Sequence, residues 1–281
     1  MTDQSQMTYQ FLPTIHLIYG TPLFPTPAEE EVIESIQTVL DSASDQGVQV
    51  SWTIQQAEKC LGEIQFGLHR IQVAGLANPL PQEVVDCTIH TSPWQAQIKA
   101  AMRQHQSHLS LVYRGSAYDP VEKMIALYQT TRAFAGEDLL GIVNENAWTA
   151  HPPADTLSPE SIRRFRKDIP LNLWTGAVKF YVDQENYWLV TKGHHIFDVP
   201  DLAFFIRDNQ DAAEIINHFA NIFYYLFEQD VFVTAGDTLE ITQQGQYFKF
   251  AEVPEGADFL MGPSGTLVIE KSAPDDIAKP G

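Results

Sequence analysis

Ala177-Val-Lys-Phe-Tyr-Val182, Asp183-Gln-Glu-Asn186 and Tyr187-Trp-Leu-Val-Thr191 read in succession as strand, turn and strand. β-Branched and aromatic residues fill both runs, and the four polar residues between them suit a turn. A loop, Gly193-His-His-Ile-Phe-Asp-Val-Pro-Asp-Leu202, leads to a third strand, Ala203-Phe-Phe-Ile206, and then to a helix over residues 211–229. In that helix Ala212, Ile215, Ile216, Phe219, Ile222, Phe223, Leu226 and Phe227 recur at helical spacing. Glu214, Asn217, His218, Asn221, Tyr225 and Glu228 fall on the opposite face. Further strands are expected at 238–242, 246–250 and 266–269. Together these elements describe a sheet covered by one amphipathic helix.

Working outward, residues 1–150 carry a similar alternation. Thr26-Pro27-Ala-Glu29, Ser92-Pro93-Trp-Gln95 and Asp119-Pro120-Val-Glu122 each place a capping side chain before a Pro, with an acid or amide two residues later. The cap accepts an orphan backbone N–H, and Pro at the first helical position has none to leave unpaired. Helical spacing follows each start: Val32, Ile33, Ile36, Val39 and Leu40; Trp94, Ile98, Ala101 and Met102; Val121, Met124, Ile125 and Tyr128. Strand-like runs at 14–19, 48–54, 63–69, 71–73, 108–113 and 140–143 lie between them, giving a mixed sheet with helices on one face. A segment bearing Pro, Ser and Thr, 149–159, marks a junction, and Ser158-Pro159 opens a further short helix. The predicted fold class is α+β. It has two packed halves, 1–150 and 151–281, each a mixed or antiparallel sheet covered by helices.

Charge bounds the function. The chain carries a net charge of −19, with 17 Lys and Arg against 36 Asp and Glu. The acidity is shared by both halves. Such a field repels phosphate backbones and anionic bilayers, so neither nucleic acid nor membrane is an expected partner. It favours solubility, and it also steers basic proteins. The polar start, Met1-Thr-Asp-Gln-Ser-Gln6, carries no secretory pattern, and no apolar run is long enough to span a bilayer. Cys60 and Cys87 are far apart and read as reduced thiols, so a cytoplasmic location is expected. The tail 273–281 is expected to fray.

Three features together, Gly193…Val199-Pro200-Asp201-Leu202, the helix ending Phe223-Tyr-Tyr-Leu-Phe-Glu228, and Met261-Gly-Pro263 before a strand, resemble a bacterial family. It is catalogued as domain of unknown function 4261. The resemblance is clearest over residues 177–270. It implies a soluble bacterial α+β protein, and it supplies no catalytic residues.

The candidate chemical cluster is His194, His195, Asp198 and Asp201, since imidazoles and carboxylates at close spacing can hold a divalent metal. Adjacent residues of a strand face opposite ways, so His194 and His195 converge only if the chain turns there. Gly262-Pro263-Ser264-Gly265 and Arg114-Gly-Ser-Ala-Tyr118 read as turns and loops, because neither has the strand–Ser–helix setting of a nucleophile elbow. The basic run Arg163-Arg-Phe-Arg-Lys167 is expected to form internal ion pairs or pairs with another subunit. With no P-loop, dinucleotide fingerprint or zinc spacing, no cofactor is expected. The leading expectation is a non-catalytic protein-binding module, an immunity or antitoxin-type inhibitor of a basic bacterial toxin. The alternatives are an enzyme of unrecognised type with a His/Asp site between the halves, and a structural or scaffolding subunit.

Overall fold

The computed structural model describes residues 12–40, 47–56, 58–154, 156–207, 211–242 and 246–272. The polar start at 1–6 and the tail at 273–281 lie outside them. The first sheet contains β1 (Thr14–Tyr19), β2 (Gln49–Gln56), β3 (Lys59–Phe66), β4 (His69–Leu76), β5 (Ser107–Tyr113), β6 (Leu139–Asn144) and β7 (Thr149–His151). Their order is β2-β3-β4-β5-β1-β6-β7, and every neighbouring pair is antiparallel. This sheet is therefore antiparallel, where the sequence suggested a mixed one. Only two residues separate β2 from β3 and two separate β3 from β4, links too short for anything but antiparallel neighbours.

Alternation along β1 sends Ile15, Leu17 and Tyr19 to one face and Ile18 to the other, and each face has its own apolar cluster. The helices of this half are α1 (Glu29–Gln37), α2 (Gln82–Val85), α3 (Ala96–Met102) and α4 (Pro120–Ala133). Residues of α1 and α4 pack with Ile15 and Leu17; α2, the π-turn Asp86–His90 and α3 supply Val85, Ile89 and Met102 against Ile18. Helices thus cover both faces, correcting the one-face expectation. Burial runs right around the last turns of α4, where even Gln129, Thr130 and Thr131 are buried. The hydroxyls of Thr130 and Thr131 donate to the carbonyls of Ala126 and Leu127, both at 2.9 Å, so neither is left unpaired.

The helix starts divide. Asp119 caps α4 by accepting from the Val121 N–H at 2.8 Å, and Ser158 caps α5 (Pro159–Arg164) through the Ser161 N–H at 3.1 Å. By contrast α1 begins after Ala28, whose N–H donates to Glu31 Oε2 at 3.0 Å, so Thr26 is not its cap. Ser92 donates its hydroxyl to Ile89 O at 2.9 Å, closing the preceding turn, and α3 starts only at Ala96.

After α6 (Leu171–Trp174), the second sheet contains β8 (Gly176–Tyr181), β9 (Tyr187–Lys192), β10 (Asp201–Ile206), β11 (Thr238–Thr242), β12 (Gln246–Ala251) and β13 (Thr266–Ser272). Its order is β11-β12-β13-β10-β9-β8, mixed because β10 and β13 run parallel. The helix α7 (Ala212–Glu228) buries Ile215, Phe219, Ile222, Phe223 and Leu226, as its spacing predicts. Two positions exchange roles. Ile216 is exposed, and His218 is buried against Phe248 with ring centroids 5.0 Å apart.

One apolar cluster runs through both halves. At its centre Trp174, fully buried, meets the rings of Tyr128, Phe165 and Phe197 at 6.0, 5.5 and 6.1 Å. The Tyr128 hydroxyl lies 2.6 Å from His151 Nε2, and His151 Nδ1 lies 2.9 Å from Pro152 O. A neutral imidazole with its proton on Nδ1 satisfies both contacts, and burial pushes its pKa down to about 4. The backbone closes in too. A Cβ on Gly176 would stand 2.3 Å from Ala147 O, and one on Gly193, at φ +101°, 2.6 Å from Ala147 Cβ. Arg166 pairs with Glu122 across the halves, its Nη2 2.9 Å from Oε2, as expected for the basic run.

Trp174→Ala is expected to cost about 3–5 kcal/mol. Chemical denaturation should show a single transition shared by both halves, shifted to lower denaturant in the variant. Two separate transitions in the parent protein would contradict a shared core.

Candidate functional site

The loop between β9 and β10 builds the site. Gly193 takes a left-handed conformation, a 3-10 turn spans His194–Phe197, and Asp198 is left-handed again at φ 58°. The turn divides the two imidazoles. His194 is buried against Phe223, ring centroids 4.9 Å apart, with Nδ1 3.3 Å from Thr191 Oγ1 and 3.2 Å from Pro200 O. His195 faces the other way, beside Lys192. Burial holds both pKa values at about 4, helped for His195 by the Lys192 charge. Asp198 is exposed at the surface. The four residues proposed as metal ligands therefore do not converge. Among the described residues no group of three or more His, Cys, Asp or Glu side chains could hold a metal ion.

Asp201 is the chemically distinctive member, at 1% exposure. Its Oδ1 accepts from the His194 N–H and the Thr191 hydroxyl, each at 3.3 Å. Its Oδ2 has no hydrogen-bond partner. Burial drives its pKa up to about 7, against the opposing pull of Lys192, the His194 amide and Thr191. Gly262 lies directly against this carboxylate, since a Cβ there would sit 2.1 Å from Oδ2. The Lys192 ammonium points at Leu260 O (3.1 Å) and Met261 O (3.4 Å), 5.4 Å from the centroid of the Trp148 ring. Burial lowers its pKa.

These groups line one wall of a cleft of about 480 Å³. The other wall comes from the first half and includes Glu83, Cys87, Glu145, Asn146 and Trp148. His16, 3.5 Å from Glu145 Oε2, holds that carboxyl below its usual range. The Cys87 thiol is pushed up by burial and by Glu145 and Asp86, so it stays protonated and is no activated nucleophile. On the far side of Trp148 a larger cleft of about 910 Å³ contains His194 and Thr191. The adjacent histidines thus serve two different cavities, joined through Thr191 by the Asp201–Thr191–His194 contacts.

The residues that assemble the site, Asp201 and Gly262 above all, lie within one matched segment. Residues 190–270 match the family model described as a domain of unknown function, DUF4261. The match starts inside β9, takes in β10, α7, β11 and β12, and ends inside β13. No curated protein and no solved structure matches the chain.

Sequence reading placed Asp201 and His195 near a site and missed Lys192, Glu145, Asn146, Trp148 and Gly262. The signal for Gly262 was present in Met261-Gly-Pro263, which reads as a turn until a buried carboxylate is set against it. Gly262→Ala is expected to destabilise the fold by about 1–3 kcal/mol, because Cβ and Oδ2 cannot share the space. Equilibrium unfolding measures it.

The pH profile has two opposing parts. His151, His194 and His195 bind protons more tightly unfolded (about 6.5) than folded (about 4), so stability rises with pH between those values. Asp201 binds its proton more tightly folded (about 7) than unfolded (about 3.9), so its contribution falls as pH rises through that interval. Asp201→Asn removes the falling part. Unfolding free energies from about pH 4.5 to 7 should then climb more steeply than in the parent protein.

Proposed function

We propose that this chain is a non-catalytic binding protein that captures a basic protein partner, as an immunity or antitoxin-type inhibitor occludes a basic toxin. The observation that carries the reading is the placing of charge where α7 ends. Glu228 sits in its last turn and Asp230 just beyond, at the end of a helix where carboxylates are electrostatically unfavourable. Phe232, 86% exposed, follows directly. The chain then turns at Asp237, itself exposed, whose carbonyl accepts from the Phe250 N–H at 2.8 Å. An exposed aromatic ring that follows Glu228 and Asp230 closely in the chain suits a surface rich in Lys and Arg, whose approach relieves the repulsion at the helix end. Several basic side chains elsewhere are engaged internally. Arg132, Arg163 and Lys192 donate to backbone carbonyls, and Arg70, Arg166 and Lys271 pair with Glu63, Glu122 and Glu214.

A second reading, an enzyme acting between the halves, is favoured by one observation. The Asp201 carboxyl, pushed up to about 7, exchanges its proton near neutral pH, as a general acid or base must.

The partner reading is tested by affinity capture from the source cells with the parent protein and with Glu228→Lys/Asp230→Lys/Phe232→Ala. A basic protein should be recovered at low salt, lost at high salt and lost with the triple variant. Recovery of no protein, or of one indifferent to the variant, would refute it.

A further inference from the structure

We propose that the cleft between the two halves binds a small organic cation, an ammonium or guanidinium compound, whose N–H groups are received by Asp201 Oδ2, Asn146 Oδ1 and the Glu145 carboxylate.

Hydrogen-bond demand is the first ground. Asp201 Oδ2 and Asn146 Oδ1 are both buried acceptors without a donor, and both residues line this one cavity from opposite halves. Native folds rarely leave such oxygens unpaired, and these two belong to residues on the two walls of one cleft. Lys192, a cation beside the carboxylate, does not answer the need, because its ammonium is directed to Leu260 O and Met261 O. The ligand must therefore donate.

Charge gives its sign. Glu83, Glu145 and Asp201 face the cleft against the single ammonium of Lys192, and the neighbouring Cys87 thiol and His195 imidazole stay neutral at pH 7. Positive charge is favoured there. Size and spread give its class. A volume of about 480 Å³ far exceeds a single ion, and the described residues hold no group that could chelate one. An extended cation can reach acceptors on both walls. Half-exposed Met261, at the rim with Pro263, offers apolar cover for a methylene stem.

The raised Asp201 pKa adds a signature. A cation seated on Oδ2 favours the ionised carboxyl, so binding releases a proton and affinity rises with pH. Asp201, raised to about 7, is the group in the cleft that sets this slope, while Glu145 is held below its usual range by His16. The site is separate from the acidic surface around Phe232 and does not rest on that reading.

The test is isothermal titration calorimetry of the full chain with agmatine, which carries both cationic groups on a short stem. One saturable site is expected, with affinity about tenfold tighter at pH 8 than at pH 6. Asp201→Asn should weaken it by at least about tenfold and abolish the slope. Glu145→Gln, near the cleft mouth and independent of the buried carboxyl, should also weaken it, which keeps the test decisive should Asp201→Asn fold poorly. Glu228→Lys/Asp230→Lys should leave agmatine binding unchanged, so the two sites fail or hold separately. Absence of saturable binding by agmatine and by spermidine up to about 10 mM would overturn the proposal. So would agmatine binding that survives the cleft variants and is lost with the surface variant.

Discussion

The packing of Trp174 into the space between the sheets is the constraint on which everything else rests. Its ring meets Tyr128 from the first half and Phe197 from the second, and it is fully buried. Aromatic pairs of this kind add specific edge and face contacts to the burial of area. Around it the backbones approach so closely that Gly176 and Gly193 have no room for a side chain against Ala147. Asn144 adds a polar tie, its Nδ2 donating to Trp174 O at 3.2 Å. These contacts form the waist at which the two sheets share one apolar cluster.

That waist decides where cavities can exist. Trp148, left-handed at φ 50° and held by the Thr91 hydroxyl donating to its carbonyl at 2.8 Å, projects between the halves and separates two clefts. A bulky residue in this conformation is strained, and such strain gathers where a structure has a task to perform. On one side lie Asp201, Lys192 and His195; on the other lies His194. The Thr191 hydroxyl stands between them, accepting from the Leu202 N–H at 2.8 Å and donating its proton to Asp201 Oδ1, while the His194 Nδ1–H points to Pro200 O and Thr191 Oγ1. Buried titratable groups of opposite preference are thereby linked through a single side chain.

Much of the fold was legible because its decisive signals are local. The hairpin at β8–β9, the strand β10 and the helix α7 follow from residues close in sequence, and the Asp119 cap follows from a side chain with no competing partner. Ser92 misled because its hydroxyl found a carbonyl in the preceding turn, a choice that spacing cannot reveal. His218 misled because a polar name does not exclude burial when an aromatic ring lies opposite. Of the site, Asp201 could be suspected from its close spacing to His194 and His195, and the divergence of those two imidazoles follows from their adjacency. The facing wall, Glu145 to Trp148, could not be read at all, since only the long-range packing around Trp174 brings it there.

The close fit at Gly193 and Ala147 has a bearing on how this polypeptide can be divided. The matched segment opens at Val190, part-way along β9, and leaves out β8 and Trp174. A protein trimmed to that segment would carry a shortened strand with its outer edge unpaired, and it would bare the apolar side of the His194–Phe197 turn. Exposed edges of this type recruit other chains. Recognisable as a unit of resemblance, the stretch still has its hollow filled by a neighbour that lies outside it.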